Sequence, residues 1–229
     1  MSKDFPFTTY DFYAYLASGL LFLFSVDLIY TGGLIFARPE WNFVQIAIVV
    51  AAGYISGQIL AIPSSAVLEH FLFNWIFYKP LVLQTGSKPP RIREKILSTL
   101  IGRYYHPLSA GVREKILSKA KEATGKSKEE LLDDVETIFQ PAFTAARQIA
   151  DTCARLDDFR NQYGFARNVC FTGIVIAALA FWHSVSNLII WSVIIILIVG
   201  MFLRFAKFYA AFCAEVLRSF AFSPEQEKK

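Results

Sequence analysis

A single carboxylate, Asp27, stands in an otherwise apolar run from Phe12 to Phe36. An acid at bilayer depth costs about 2.5–3.5 kcal/mol on insertion scales, so its persistence points to an ion, a proton or a bonded neighbour. With the helix entering at Phe12, Asp27 falls toward the far end, at the depth of Gln45, His183 and Asn187. Gln58 adds a further polar group within the second apolar run. Repeated in a ring of subunits, Asp27, Gln45, Gln58 and His183 are candidate pore-lining groups, because cation pores use such rings of acids. The structural alternative is an interfacial Asp27 that reaches water or bonds His183.

Glu69 and His70 are an adjacent acid and base, and Asn74 lies a turn beyond. Adjacent helical residues diverge by about 100°, so the pair cannot both face one substrate. No H-E-x-x-H pattern and no third ligand accompany them, which removes a metal site. Glu69, His70 and Asn74 therefore read as interfacial residues, with Glu69 making a helix–helix or headgroup contact. Thr124-Gly125-Lys126-Ser127 matches the end of a phosphate-binding loop, but Ala120 stands where the first glycine belongs and no strand precedes it. It reads as a helix C-cap followed by an N-cap. Cys153, Cys170 and Cys213 have no metal-ligand spacing and read as small apolar residues. The chain thus offers no catalytic set, no metal and no cofactor.

These residues must be positioned by helices in a bilayer. Of the 229 residues 55% are hydrophobic, 22 are Phe, 10 Tyr and 4 Trp, and the mean hydropathy is +0.41. Four apolar stretches read as spans: Phe12 to Phe36, Phe43 to Ile62, and the two short arms of Val169 to Leu203, divided by the polar turn 183–187, with Arg204 and Lys207 able to snorkel at the inner end of the last. Gly53 and Gly57 form a G-x-x-x-G pair that admits a close helix, preferably within one subunit. Pro63 is expected to break or kink the second helix, leaving 64–78 at the inner interface. The expected fold is all-α: residues 1–78 a first transmembrane hairpin plus interfacial helix, 79–167 a cytosolic helical domain, 168–204 a second hairpin, and 205–229 an amphipathic tail.

Residues 79–167 hold 16 of the 23 Lys+Arg and 11 of the 19 Asp+Glu. Their periodicity is helical: Ile92, Ile96, Leu97, Leu100 and Ile101 share one face, and Val112, Ile116, Leu117 and Ala120 share another. The hexapeptide Arg-Glu-Lys-Ile-Leu-Ser occurs at 93–98 and again at 113–118. Ser127 with Glu130 is a capping box. Pro141 is expected to open a helix that runs from Ala142 toward Tyr163, supported by Arg147, Asp151 and Arg155 at i, i+4 spacing. Lys79, Lys88, Arg91, Arg93 and Lys95 follow the second span and suit anionic headgroups better than nucleic acid. Four spans place 22 of the 23 Lys+Arg on one side, with Arg38 alone opposite. That is the bias of a cytoplasmic face, so both termini are expected there.

The opening Pro6-Phe7-Thr8-Thr9-Tyr10-Asp11-Phe12 with Tyr15 and Gly19, and Tyr54-Ile55-Ser56-Gly57-Gln58 leading through Ser64-Ser65 to Glu69, resemble uncharacterised bacterial multi-pass inner-membrane proteins. Those carry a histidine where this chain has Gln58. The resemblance covers the first third and implies a bacterial inner membrane. The layout of spans around a helical insert also resembles small membrane effectors of anti-phage defence. The expected function is a homo-oligomeric membrane effector or channel regulated through its cytosolic helices. Its partners would be the lipid bilayer, further copies of itself and a soluble cytosolic protein. The alternatives are an anchor that recruits that soluble protein and, third, a membrane-embedded enzyme resting on Glu69 and His70.

Overall fold

The computed structural model describes residues 9–102 and 104–223, excluding the side chains of residues 9–13 and of Asn74. The interfacial role expected of Asn74 therefore lies outside the described residues. Every described element is helical: α1 Thr9–Thr31, α2 Phe43–Ser65 continuing as a π-helix over Ala66–Ile76, α3 Pro80–Thr85, α4 Ile92–Ile101, α5 Ala110–Thr124, α6 Lys128–Asp133, α7 Glu136–Arg147, α8 Ala150–Trp182 and α9 Leu188–Phe222. Four helices are long and apolar enough to cross a membrane: Ala14–Thr31, Phe43–Phe73, Ala150–Trp182 and Leu188–Phe222. The chain forms two compact units, one of the residues up to Leu72 with Tyr163–Phe205, the other of Phe73–Gln162 with the residues from Ala206 on.

In the first unit α1 and α2 meet backbone to backbone. A Cβ on Gly19 would fall 1.7 Å from the Gly53 carbonyl oxygen, and one on Gly57 would fall 1.8 Å from that of Tyr15. Leu20 fills the space over Gly53. The G-x-x-x-G pair is thus engaged inside the chain, and its partner is Gly19. Around this junction Ile176 and Ala180 of α8 and Ile194 of α9 form a core, joined by Leu21 and Ile29 of α1. The turn between α8 and α9 holds Ser184 at φ 52°. Asn187 accepts from the Ile189 backbone at 2.9 Å and so caps α9. The other faces remain apolar and open: Val44, Ile48, Ile55, Ile59 and Ile62 of α2, and Leu188, Ile189, Val193 and Ile196 of α9. Such a surface suits lipid rather than water.

The second unit is built on the last part of α9. Ala206, Ala210, Ala211, Phe212, Ala214, Val216 and Leu217 are all buried. The buried Gln84 amide donates to the Tyr104 carbonyl at 2.9 Å and the Ala210 carbonyl at 2.7 Å. Phe139 and Phe143 pack on Phe212, and Arg155 pairs with Glu215 at 2.8 Å. The Tyr105 hydroxyl donates to the Tyr78 carbonyl at 2.5 Å. Burial, then the Glu94 charge, pushes that phenol well above its usual range.

Several local expectations change. Pro63 neither breaks nor ends its helix. An interrupted helix at that depth would leave backbone groups without water, so the chain widens into π geometry from Ala66 instead. Pro141 lies inside α7, and the helix ends at Arg147, with α8 starting at Ala150. Nothing in the structure explains that break. It separates Arg147 from Asp151, and Arg147 approaches Asp157 at 3.8 Å instead. The stretch 205–222 continues α9 without a break, with its alanines buried and Lys207 and Arg218 exposed. On α4 the expected single face divides: Leu97 and Ile101 are buried, whereas Ile92, Ile96 and Leu100 are exposed.

Gly57→Ala should destabilise the first unit by about 1–3 kcal/mol, because its methyl meets backbone that cannot swing away. Gly111→Ala, in a helix with nothing within 4 Å of the added carbon, should be neutral or stabilise by about 0.5–1 kcal/mol. Thermal unfolding in one detergent compares them, and equal midpoints would remove the close α1–α2 junction.

Candidate functional site: a polar cluster beside the π-helix

The first unit buries polar side chains where the π-helix begins. Ser64 and Asn168 are fully buried, and the Ser64 hydroxyl lies 2.9 Å from Asn168 Oδ1. It also lies 2.7 Å from the Ala61 carbonyl, and its single hydrogen serves one of the two. Arg167 donates to Asn168 Oδ1 from Nε at 3.3 Å and from Nη2 at 3.2 Å. Its Nη1 forms an ion pair with Glu69, the side chains being 15% and 23% exposed. Asn168 Nδ2 and the Thr172 hydroxyl are buried without a hydrogen-bond partner among the described residues. The cluster therefore joins α8 to the π-helix through the Arg167–Glu69 ion pair and to the end of α2 through the Ser64–Asn168 contact. It carries positive and negative charge in equal number, and no acid or base is placed beside an electrophile or nucleophile. Its chemistry is to fix helix register.

The sequence candidates separate here. Glu69 makes the helix–helix contact, whereas His70 is exposed, with Nδ1 3.4 Å from the Ser65 carbonyl. The two point apart, as the helical angle requires. Arg167 and Asn168 were not singled out by the sequence. The available signal was charge at matched depth: a basic residue opening one apolar run, and an acid near the end of another.

Asp27 is buried, but its carboxylate serves its own chain. Thr31 donates to it, and the Ile35 and Phe36 backbone N–H groups reach it at 3.2 and 2.9 Å. Gly32 and Gly33, at φ 71° and 89°, end α1 in the left-handed region and fold the following turn over the acid. Among the described residues the carboxylate bonds no part of His183, which is exposed and packs edge-on against Tyr30 at 4.3 Å. Gln45 forms a capping box with Asn42, donating its N–H at 2.8 Å and accepting at 3.1 Å. Gln58 is exposed and donates to the Tyr54 hydroxyl at 2.9 Å. Within one copy each of the four is met by its own neighbours: Asp27 by the turn after α1, Gln45 by Asn42, Gln58 by Tyr54 and His183 by Tyr30.

In the second unit the basic segment is partly engaged. Lys79 pairs with Glu136. Lys88 and Arg91 lie over the Tyr78 ring, at 5.6 and 4.3 Å. Arg93 and Lys95 are exposed and form no ion pair among the described residues. Gly125, at φ 72°, ends α5, and Ser127 and Glu130 cap α6 reciprocally. The Ser127 backbone N–H, then its hydroxyl, hold the Glu130 carboxyl below its usual range. Lys126 turns to Thr137 at 3.1 Å, so the phosphate-loop likeness has no structural counterpart. Cys170 and Cys213 are buried, and none of the three cysteines forms a disulfide among the described residues. Among the described residues no three His, Cys, Asp or Glu cluster as a metal set. No family model, curated protein or solved structure matches the chain.

Replacing Arg167 by Gln should leave Glu69 shielded and unpaired, lowering stability by about 2 kcal/mol at these part-buried positions. The double replacement Glu69→Gln with Arg167→Gln should recover at least half of that loss. A double-mutant cycle on detergent unfolding midpoints measures the coupling, and strictly additive effects would show that the pair does not hold α8 to the π-helix.

Proposed function

We propose that the chain is a homo-oligomeric membrane effector. Its four long helices cross a bacterial inner membrane as two hairpins, and its helical unit works on the cytoplasmic side. The observation that carries self-association is Gln58. It lies mid-way along the second candidate span, exposed on α2 among the exposed apolar residues Ala51, Ile55, Ile59 and Ile62. One amide N–H bonds Tyr54. In lipid the rest of the amide needs a polar partner, and Gln58 of a second copy offers a self-complementary one. Since Gly53 and Gly57 are engaged by α1, the face that carries Gln58 remains for a neighbour.

Orientation is supported by the charge distribution, which leaves only Arg38 on the side opposite the termini. The likeness of the layout to small membrane effectors of anti-phage defence supports the class. Asp27 carries no part of this reading, because its acceptors close its own turn. A pore within the assembly would have to be lined by other groups.

Native mass spectrometry in mild detergent and in nanodiscs should show more than one copy. Gln58→Leu should weaken self-association by about tenfold, the worth of one interhelical amide pair within the membrane. A wild-type protein that is monomeric throughout would overturn the proposal. In a cysteine-free background, an impermeant maleimide should label Glu40→Cys on intact cells and Lys121→Cys only after lysis. Labelling of Lys121→Cys from outside would overturn the four-span orientation.

A further inference from the structure

The hexapeptide repeated at 93–98 and 113–118 occupies two different environments. In α5, Ile116 and Leu117 are both buried. In α4, Leu97 is buried but Ile96 is 58% exposed, and its neighbours Ile92 and Leu100 are 77% and 63% exposed. At about 100° per residue these three fall within an arc of about 80°. Arg93 borders one edge of the arc and Lys95 the other, both exposed. The one acid of the helix, Glu94, is buried and accepts from the Tyr78 and Arg91 backbones at 3.2 and 3.0 Å. The open face of α4 is thus an aliphatic stripe with a purely cationic fringe.

We infer that α4 lies in the surface of an anionic bilayer, with Ile92, Ile96 and Leu100 among the acyl chains and Arg93 and Lys95 at the headgroup phosphates. That arrangement is the one an in-plane interfacial helix requires. A protein partner would be met by a face richer in aromatic anchors and a rim of both signs. Ile92 also follows soon after Phe73, the end of the second candidate span, within the range where basic residues act on the adjacent leaflet. Lys79, Lys88 and Arg91 are held by Glu136 and Tyr78, so the recognition falls to Arg93 and Lys95. The inference rests on membrane insertion of the chain and not on its self-association.

The test uses the full chain in nanodiscs, with Cys153, Cys170 and Cys213 replaced by Ala and a fluorophore on Thr99→Cys, an exposed position at the edge of the stripe. Co-elution with the discs reads insertion separately, and the unfolding midpoint checks that the protein is folded. In phosphatidylglycerol-containing discs, spin-labelled lipid should quench the Thr99→Cys fluorophore and leave one on Lys121→Cys unquenched. Pure phosphatidylcholine should weaken the quenching. Arg93→Gln and Lys95→Gln should each lower the docked-to-free ratio about five-fold, and Ile96→Asn should abolish docking. Overturning results are a Thr99→Cys signal no more quenched than Lys121→Cys, or one that follows protein copies per disc rather than lipid charge, which would assign the stripe to a second copy. Quenching that appears only with a soluble protein added would likewise overturn it.

Discussion

Where two helix backbones touch, neither can carry a side chain at the point of approach, and that condition organises the first unit. Gly19 meets Gly53 and Gly57, and the carbonyls of Gly53 and Tyr15 occupy the space of the missing Cβ atoms. The approach fixes the rotation of α1 about its own axis. Once Leu20 is over Gly53, Leu21 and Ile29 are directed to the core of Ile176, Ala180 and Ile194. The same rotation leaves Ile55, Gln58 and Ile59 on the outside of α2. Which face of α2 stays open is therefore decided by three glycines that do not lie on it.

Polar groups in the first unit follow a second condition. Where water is excluded, a backbone N–H or carbonyl freed at a helix end must be met by the chain itself. Asp27 meets the N–H groups of the turn after α1, Asn42 and Gln45 close the start of α2, and Asn187 closes the start of α9. The widened helix after Pro63 coincides with the Ser64, Glu69, Arg167 and Asn168 cluster. An intramembrane acid draws attention as a functional residue by default, yet capping is the same chemistry applied to the chain's own helix ends. What separates the uses is geometry: a carboxylate whose acceptors are filled by residues a few positions on has little left for an ion.

The four apolar helices, the α8–α9 turn and the caps of α5 and α6 were legible in the sequence because each is set locally, by a hydrophobic run, a polar knot or a capping pair. The Asn42–Gln45 box has the same local signature and was missed inside a turn rich in Pro and Trp. Gly19 and the Arg167–Glu69 pair were not legible. Each needs a partner more than thirty positions away, and sequence period gives the face of a helix but not what stands opposite. Pro63 and Pro141 misled for a related reason. A proline removes one hydrogen bond locally, but whether the helix ends there depends on how well the surroundings hold it, and in both cases the helix continues.

The repeated hexapeptide makes the point within one molecule. Arg-Glu-Lys-Ile-Leu-Ser is helical in both copies, so its local preference is satisfied twice, yet Ile116 is buried and Ile96 is not. Glu94 is buried as a backbone acceptor while Glu114, the same residue of the second copy, is exposed. Sequence identity fixes the helix and its amphipathic period, and the neighbours decide which arc of it is covered. In α5 both apolar positions are needed for the interior. In α4 Leu97 and Ile101 suffice for it, and the rest of the apolar arc is available for a second medium.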